Sequence, residues 1–443
     1  MNIAFISLGC PKNQVDADVL CHSLLAAGHR TVPTVQQADI VIVNTCGFIE
    51  SAKAESIENI LMACAEKKEN SCLKVIVTGC LAERYQSELA AEIPEVDAVV
   101  GIGSNKDICA IIEEIEKENA VQVQHYGAKT DLDITQKRVI STPSHYAYLK
   151  ISEGCNNRCH YCAIPLIRGN LRSRAYEDIL KEAQWLAEEG VKELILVAQD
   201  YTAYGDDLGE NRSAQLLYDL NKIEGIEWIR ILYAYPERIN DAFVKAMAEN
   251  DKVVKYLDVP IQHINSRVLQ SMNRKGDRNT VITALDKLRA AMPEIVLRTT
   301  LIAGYPGETE DEFCELAQFV RDYKFDRLGC FAYSEEENTV AATMPQLDME
   351  IREKRAEIIM NIQSDIMAAK QGAKIGSTQI VLVDEYDDEE NTYIGRTAAD
   401  APDIDTVVFI EECESALATG MFVSVQIDEC DGYDLFGHLI RAR

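Results

Sequence analysis

Three short apolar runs in the first eighty residues each stop at a cysteine. Residues 2–8 lead into Gly9-Cys10, residues 38–44 into Thr45-Cys46-Gly47, and residues 73–78 into Gly79-Cys80. Runs this short and this rich in Ile and Val predict buried strands. Helical spacing follows each of them, over about 14–27, about 51–67, and again after Cys80. A further strand at 98–100 and a helix at 107–118 continue the pattern. Alternating strands and helices predict a doubly wound parallel sheet. In such sheets, sites gather at the carboxyl ends of the strands, which is where Cys10, Cys46 and Cys80 fall. One cysteine so placed is most often a small buried hydrophobe; three in the same topological position predict a metal site. Cys21, Cys64, Cys72 and Cys109 lie within or beside helices and are expected to be structural or incidental.

A second triad lies in Ser152-Glu153-Gly154-Cys155-Asn156-Asn157-Arg158-Cys159-His160-Tyr161-Cys162. Three thiolates this close can hold three irons of a cubane cluster. No fourth cysteine follows nearby, so one iron is left open, and a metal with an open position is a reactive site. A tetrahedral zinc site wants four ligands. His160 lies in the run, so zinc stays open on these residues alone.

Four segments follow from composition and period: a sheet domain over 1–118, a polar linker over 119–143 with room for a short strand, a core over 144–371, and a small domain over 372–443. In the core, strands at 146–151, 193–197, 228–233, 256–259, 296–302 and 327–331 alternate with helices. That predicts a partial TIM-type (β/α)6 barrel with its site at the carboxyl-terminal mouth. The Cys155–Cys162 loop, directly after the first strand, is expected to emerge there. Gln199 and Asp200 follow the second strand, Tyr235 the third, and Gln262 and His263 the fourth. Arg298 lies inside the fifth, and Gly304-Tyr305-Pro306-Gly307-Glu308 follows it. Each has a bland reading as a loop cap, a turn or an ion pair. A charged helix over 349–370 connects to five short strands, at 378–383, 392–396, 407–410, 422–427 and 434–441, which predict a small all-β barrel.

Cys155, Cys159 and Cys162, with aromatic Tyr161 before the third, resemble the signature of the radical S-adenosylmethionine (SAM) enzymes. Ser7-Leu8-Gly9-Cys10-Pro11-Lys12-Asn13, Asn44-Thr45-Cys46-Gly47-Phe48 and Thr78-Gly79-Cys80 resemble the N-terminal domain of the methylthiotransferases within that family. Asp434-Leu435-Phe436-Gly437 resembles their closing TRAM domain. The resemblance implies two [4Fe-4S] clusters, one on each triad, with SAM chelated by the open iron at Cys155, Cys159 and Cys162. It implies that Tyr161 lies near the adenine, Gln199 near the methionine amino group, Arg298 against the carboxylate, and the backbone of Gly304 near the adenosine. It also implies a deoxyadenosyl radical that takes hydrogen from an unactivated carbon, a sulfur supplied by the second cluster, a methyl group from another SAM, and an electron donor of the flavodoxin or ferredoxin type.

The net charge of −29 repels nucleic acid backbones and favours basic partners. Residues 372–443 carry 16 Asp or Glu against 4 Lys or Arg, a net of −12. Acidic runs are usually solvated surface, yet a surface this negative would oppose RNA and attract a basic protein. With the Ser7–Asn13 motif, it resembles the methylthiotransferase branch that modifies an aspartate β-carbon of small-subunit ribosomal protein S-twelve. The same chemistry on a transfer RNA adenosine is the alternative. A two-cluster electron-transfer protein fits less well, since six ligands leave each cluster an open iron. With 14 cysteines, no signal-peptide pattern and no apolar run of membrane length, a cytoplasmic, reduced monomer is expected.

Overall fold

A computed structural model describes residues 1–70, 73–117, 121–131, 137–411 and 417–442. Cys72, Glu118 and residues 119–120 and 132–136 of the expected linker lie outside the described residues. The chain forms two compact units, each assembled from three separate stretches. The first takes residues 1–141, 152–174 and 336–339; the second takes 142–151, 175–335 and 340–443.

The first unit is built on six parallel strands: β1 (Asn2–Ser7), β2 (Arg30–Thr31), β3 (Ile40–Thr45), β4 (Lys74–Gly79), β5 (Ala98–Val100) and β6 (Val123–His125). Their order in the sheet is β2-β1-β3-β4-β5-β6. The chain therefore reverses its winding between β1 and β3, and ligand crevices open at such a switch. Strand side chains alternate between faces. Val41, Val43, Val75 and Val77 pack into one apolar cluster. Ile40, Ile42 and Ile76 pack into the other. This two-sided burial is why the strands read as unbroken apolar runs.

Four helices follow: α1 (Pro11–Ala26), α2 (Glu50–Ala65), α3 (Cys80–Glu92) and α4 (Ile108–Ile115). Helix α1 starts before the expected Gln14, because Pro11 fits the first turn, where no backbone donor is needed. Gln86 takes φ 41° inside α3 and kinks it. β6 occupies part of the stretch expected as linker. Residues 152–174 add a short antiparallel pairing of Ser152–Glu153 with Arg172–Ser173 and the helical turn Ile164–Arg168. In residues 336–339, the Glu336 carboxylate pairs with Arg84 at 2.6 Å and Lys53 at 3.4 Å.

The second unit has two layers of architecture. Strands Tyr146–Lys150, Glu193–Val197, Trp228–Ile231, Val253–Asp258, Val296–Ala303 and Arg327–Ala332 form an open parallel sheet whose neighbours follow chain order. This is the expected six-stranded partial barrel. Helix Met349–Gly372 leads to a closed five-stranded barrel over Thr378–Ala442, again as expected. Buried ion pairs join the two. Glu193 accepts from Arg230 at 2.7 Å and from Arg396 at 2.8 Å. Asp400 pairs with Arg327, and Asp405 accepts from the Tyr256 hydroxyl at 2.7 Å. Among the described residues, no helix is long and apolar enough to cross a membrane.

Candidate active site

Cys46 and Cys80 directly follow β3 and β4, and Cys10 lies three residues past the end of β1. The ends of these strands are locked together by backbone-level contacts. A methyl group on Gly79 would lie 2.5 Å from the Thr45 carbonyl oxygen, and Gly79 has φ +94°, so only glycine lets β4 run this close to β3. A methyl group on Gly9 would sit 3.3 Å from the Cys46 sulfur, which places Cys46 against the chain beside Cys10. Asn13, on the first turn of α1, donates from Nδ2 to the carbonyls of Leu8 at 2.6 Å and Thr45 at 3.1 Å. Asn44 returns a bond to the Asn13 carbonyl at 2.8 Å. Ser56 of α2 accepts from the Cys46 N–H at 3.0 Å and donates to its carbonyl at 2.9 Å.

The three thiols feel one another electrostatically. Burial, aided by negative charge on Cys10 or Cys46 and opposed by Arg168, pushes the Cys80 thiol up to about 12. Burial also raises Cys46. At Cys10 burial is outweighed by Lys12, Arg168 and the backbone donors of Asn13 and Lys12, so its thiol falls below the usual value.

Cys155, Cys159 and Cys162 are half-buried in the second loop. The Asn157 N–H donates to the Cys155 sulfur at 3.5 Å. The Cys162 N–H bonds the Cys159 carbonyl at 3.1 Å, and the Cys155 N–H bonds the Gly169 carbonyl at 3.1 Å. Arg158 takes φ 50°, and its guanidinium reaches Asn170 at 2.7 Å. Burial raises the Cys162 thiol, neighbouring Cys159 and Cys155 raise it further, and Lys12 opposes them. Lys12 therefore acts on both triads, since it also acts on Cys10.

A second side chain joins the triads more closely. Arg168, 1% exposed, lies in the turn after Cys162. Its Nη1 donates to Asp16 at 2.7 Å and Glu153 at 2.8 Å. Its Nη2 donates to Asn13 Oδ1 at 3.2 Å and to the Cys80 sulfur at 3.3 Å. Cys80 also packs against Ala163 and Ile167, so it lies beside the residue that follows Cys162.

These donor sets suit iron–sulfur clusters. Sulfur is the only ligand atom in each triad, backbone and guanidinium N–H groups point at sulfur, and two cations stand ready to offset thiolate charge. Among the described residues, no group of three or more His, Cys, Asp or Glu is set to hold a single metal ion.

Gln199 lies half-buried just past its strand, as expected for a residue at that end. Arg298, a partly exposed residue, has carboxylate partners within the protein. It bonds Asp258 at 3.1 Å and faces Asp405 at 3.6 Å, well before its strand ends at Ala303. Its charge is already satisfied by carboxylates of its own unit. Gly304 does allow a close approach, but to helix Met349–Gly372: a methyl group there would lie 2.7 Å from Arg352 Cγ. Its N–H bonds the Glu308 carboxylate at 3.1 Å. His263 is fully buried, accepts from the Asn265 N–H at 2.9 Å and faces Glu308 at 3.4 Å, an internal pairing. Cys64 belongs to the apolar core, as expected of a structural cysteine.

Sequence reasoning passed over Asp16 and Arg168, and quoted Asn13 and Glu153 only as parts of motifs. The signal was a lone arginine at the end of the apolar run Ile164-Pro165-Leu166-Ile167.

Three family models match the chain: an uncharacterized protein family, UPF0004, over residues 2–101, the radical SAM superfamily over 149–320, and the TRAM domain over 375–440. The chain is 46% identical to the ribosomal protein uS12 methylthiotransferase RimO of Clostridioides difficile, over 99% of each chain. It is 47% identical to the enzyme of the same name from Acetivibrio thermocellus, over 99% of this chain and 98% of that one. In fold it is similar to the radical SAM methyltransferase TsrM of Kitasatospora setae, with a TM-score of 0.56 at 13% identity over 74% of this chain and 72% of that one. The cobalamin-dependent radical enzyme OxsB gives a TM-score of 0.53 at 13% identity, over 81% of this chain and 56% of that one.

Proposed function

The chain belongs to the family of ribosomal protein uS12 methylthiotransferases, and we propose that it adds a methylthio group to the β-carbon of an aspartate of uS12. It is a transferase of the radical SAM type, working with an iron–sulfur cluster and SAM. We assign one [4Fe-4S] cluster to Cys155, Cys159 and Cys162, and a second to Cys10, Cys46 and Cys80. When bound, these groups supply hydrogen abstraction from an unactivated carbon and the sulfur that replaces the hydrogen.

The residues of the chain position that chemistry. Asn13, Asn44 and Ser56 fix the ends of β1 and β3, and the Thr45 hydroxyl donates to the Thr78 carbonyl at 2.5 Å and ties in β4. The Asn157 N–H and the turn around Arg158 shape the second. Tyr161, inside the second loop, is assigned to the adenine of SAM, and Gln199 to its amino group. The observation that carries the reading is the contact of Cys80 with Ala163 and Ile167, next to Cys162. It supports a short route between the site that activates carbon and the site that holds sulfur. The net charge of −29 supports a basic protein substrate, so the transfer RNA reading is not favoured. The place of work is the cytoplasm, where ribosomes are modified, and the electron donor is assigned to the flavodoxin or ferredoxin type.

The test is anaerobic reconstitution with iron, sulfide, SAM and dithionite, followed by intact-mass analysis of uS12 and of transfer RNA from the same reaction. One methylthio group on uS12 is expected. Modified RNA with unmodified uS12, or no deoxyadenosine released, overturns the proposal.

A further inference from the structure

We propose that Arg168 tunes the cluster held by Cys10, Cys46 and Cys80, raising its reduction potential through a hydrogen bond from the guanidinium to the Cys80 sulfur. The inference rests on assigning that triad to a cluster.

The geometry separates two jobs on one side chain. Nη1 is held by two carboxylates, Asp16 on α1 and Glu153 before the second loop, at 2.7 and 2.8 Å. Nη2 faces Asn13 Oδ1 and, at 3.3 Å, the Cys80 sulfur. The fork of the guanidinium is planar and rigid, so fixing one nitrogen aims the other. The carboxylates act as anchors and do not take up the nitrogen that faces sulfur. All the partners are buried: Arg168 is 1% exposed, Glu153 0%, Asp16 4%, Asn13 1% and Cys80 6%. A hydrogen bond here is stronger than in water because little solvent screens it.

Hydrogen bonds to cluster sulfurs and nearby charge set where a cluster sits on the potential scale. An extra electron raises the negative charge on the thiolate sulfur, and a donor fixed at 3.3 Å favours that state. Arg168 comes from the loop of the other triad. The loop that holds SAM would thus also set how readily the sulfur-bearing cluster accepts an electron. A guanidinium that served only as a structural pin would need its carboxylates alone; the fourth contact, to a ligand sulfur, is what a pin does not require.

The test uses the full-length chain with Cys155, Cys159 and Cys162 changed to alanine, so that iron reports the first triad alone. Arg168→Met and Arg168→Lys are made in that background. Redox titration followed by electron paramagnetic resonance reads the reduced cluster. In Arg168→Met the reduced-to-oxidised ratio at fixed potential should fall at least tenfold, which is 59 mV for one electron. Arg168→Lys keeps the charge but loses the fork, and should fall between. Retained iron with an unchanged ratio in both variants overturns the proposal. Loss of iron from both also overturns it and leaves Arg168 a structural role. If the parent background itself binds no iron, the cluster assignment has failed, and that outcome is distinct from the other two.

Discussion

The two triads bring three thiols together by opposite routes. Cys155, Cys159 and Cys162 sit within one short loop, where the local chain sets their spacing. Cys10, Cys46 and Cys80 come from three strand ends and meet only when β1, β3 and β4 pair in register. The first triad is therefore a property of the folded sheet, and the second mostly a property of a sequence. Damage to the sheet should empty one site and spare the other, whereas damage to the loop should do the reverse.

The largest expected effect separates the two chemically. Cys159→Ala should reduce SAM cleavage to background while about half of the iron remains. Cys46→Ala should leave SAM cleavage within about threefold and abolish methylthio transfer, since the cofactors divide the work between them. Deoxyadenosine release and uS12 mass, read from one reaction, check both; loss of SAM cleavage in Cys46→Ala would break the comparison.

Next comes Gly79→Ala, which puts a methyl group 2.5 Å from the Thr45 carbonyl oxygen at φ +94°. Strain of this kind should destabilise the chain by roughly 3 kcal/mol or more and deplete iron from the first triad. Denaturant unfolding and iron analysis measure it. Asn13→Ala removes the clip between β1 and β3 and leaves two carbonyls without their donor. A loss of about 2 kcal/mol is expected, with the electron paramagnetic resonance response to SAM of the cluster on Cys155, Cys159 and Cys162 unchanged. An equal loss of both clusters would mean that the triads are not separately supported.

The smallest effect concerns acid and compares the two units. Glu193 and Asp400 lie below the usual carboxylate range because Arg230 and Arg396, and Arg327, outweigh their burial. A carboxylate depressed on folding contributes stability that is present above its unfolded value and lost as pH falls through its folded one. In the first unit, burial raises Glu83, so protonating it relieves the fold as pH falls. Hydrogen exchange at pH 5 and pH 3 should therefore show protection falling sooner around Glu193 and Asp400 than around Glu83 or around Asp258, which burial also raises. Equal losses would refute this contrast.

How legible each part was follows the same division. The second triad, the strand–helix alternation and the three strand-end cysteines could be read from local pattern. Arg168 could not, because its partners Asp16, Asn13 and Cys80 lie far back in the chain and nothing local announces them. The ion pairs of Arg298 were hidden for the same reason. A basic residue in a barrel strand invites an anionic ligand, but the carboxylate of Asp405 comes from the C-terminal barrel. Gly304 was rightly singled out as a point of close approach, yet the neighbour that needs it is Arg352, on a helix whose packing no motif encodes.

The interleaving of the units bears on the order in which the chain matures during synthesis. Arg84 and its partner Glu336 are 252 residues apart. At about 5–20 residues per second, a ribosome needs roughly 13–50 s to deliver the second after the first. Over that interval the nascent sheet holds Arg84 and Lys53 close together with no carboxylate from Glu336, and earlier still Asp16 waits for Arg168. The cysteines at the strand ends are thus made before Arg168, whose guanidinium bonds the Cys80 sulfur in the finished fold.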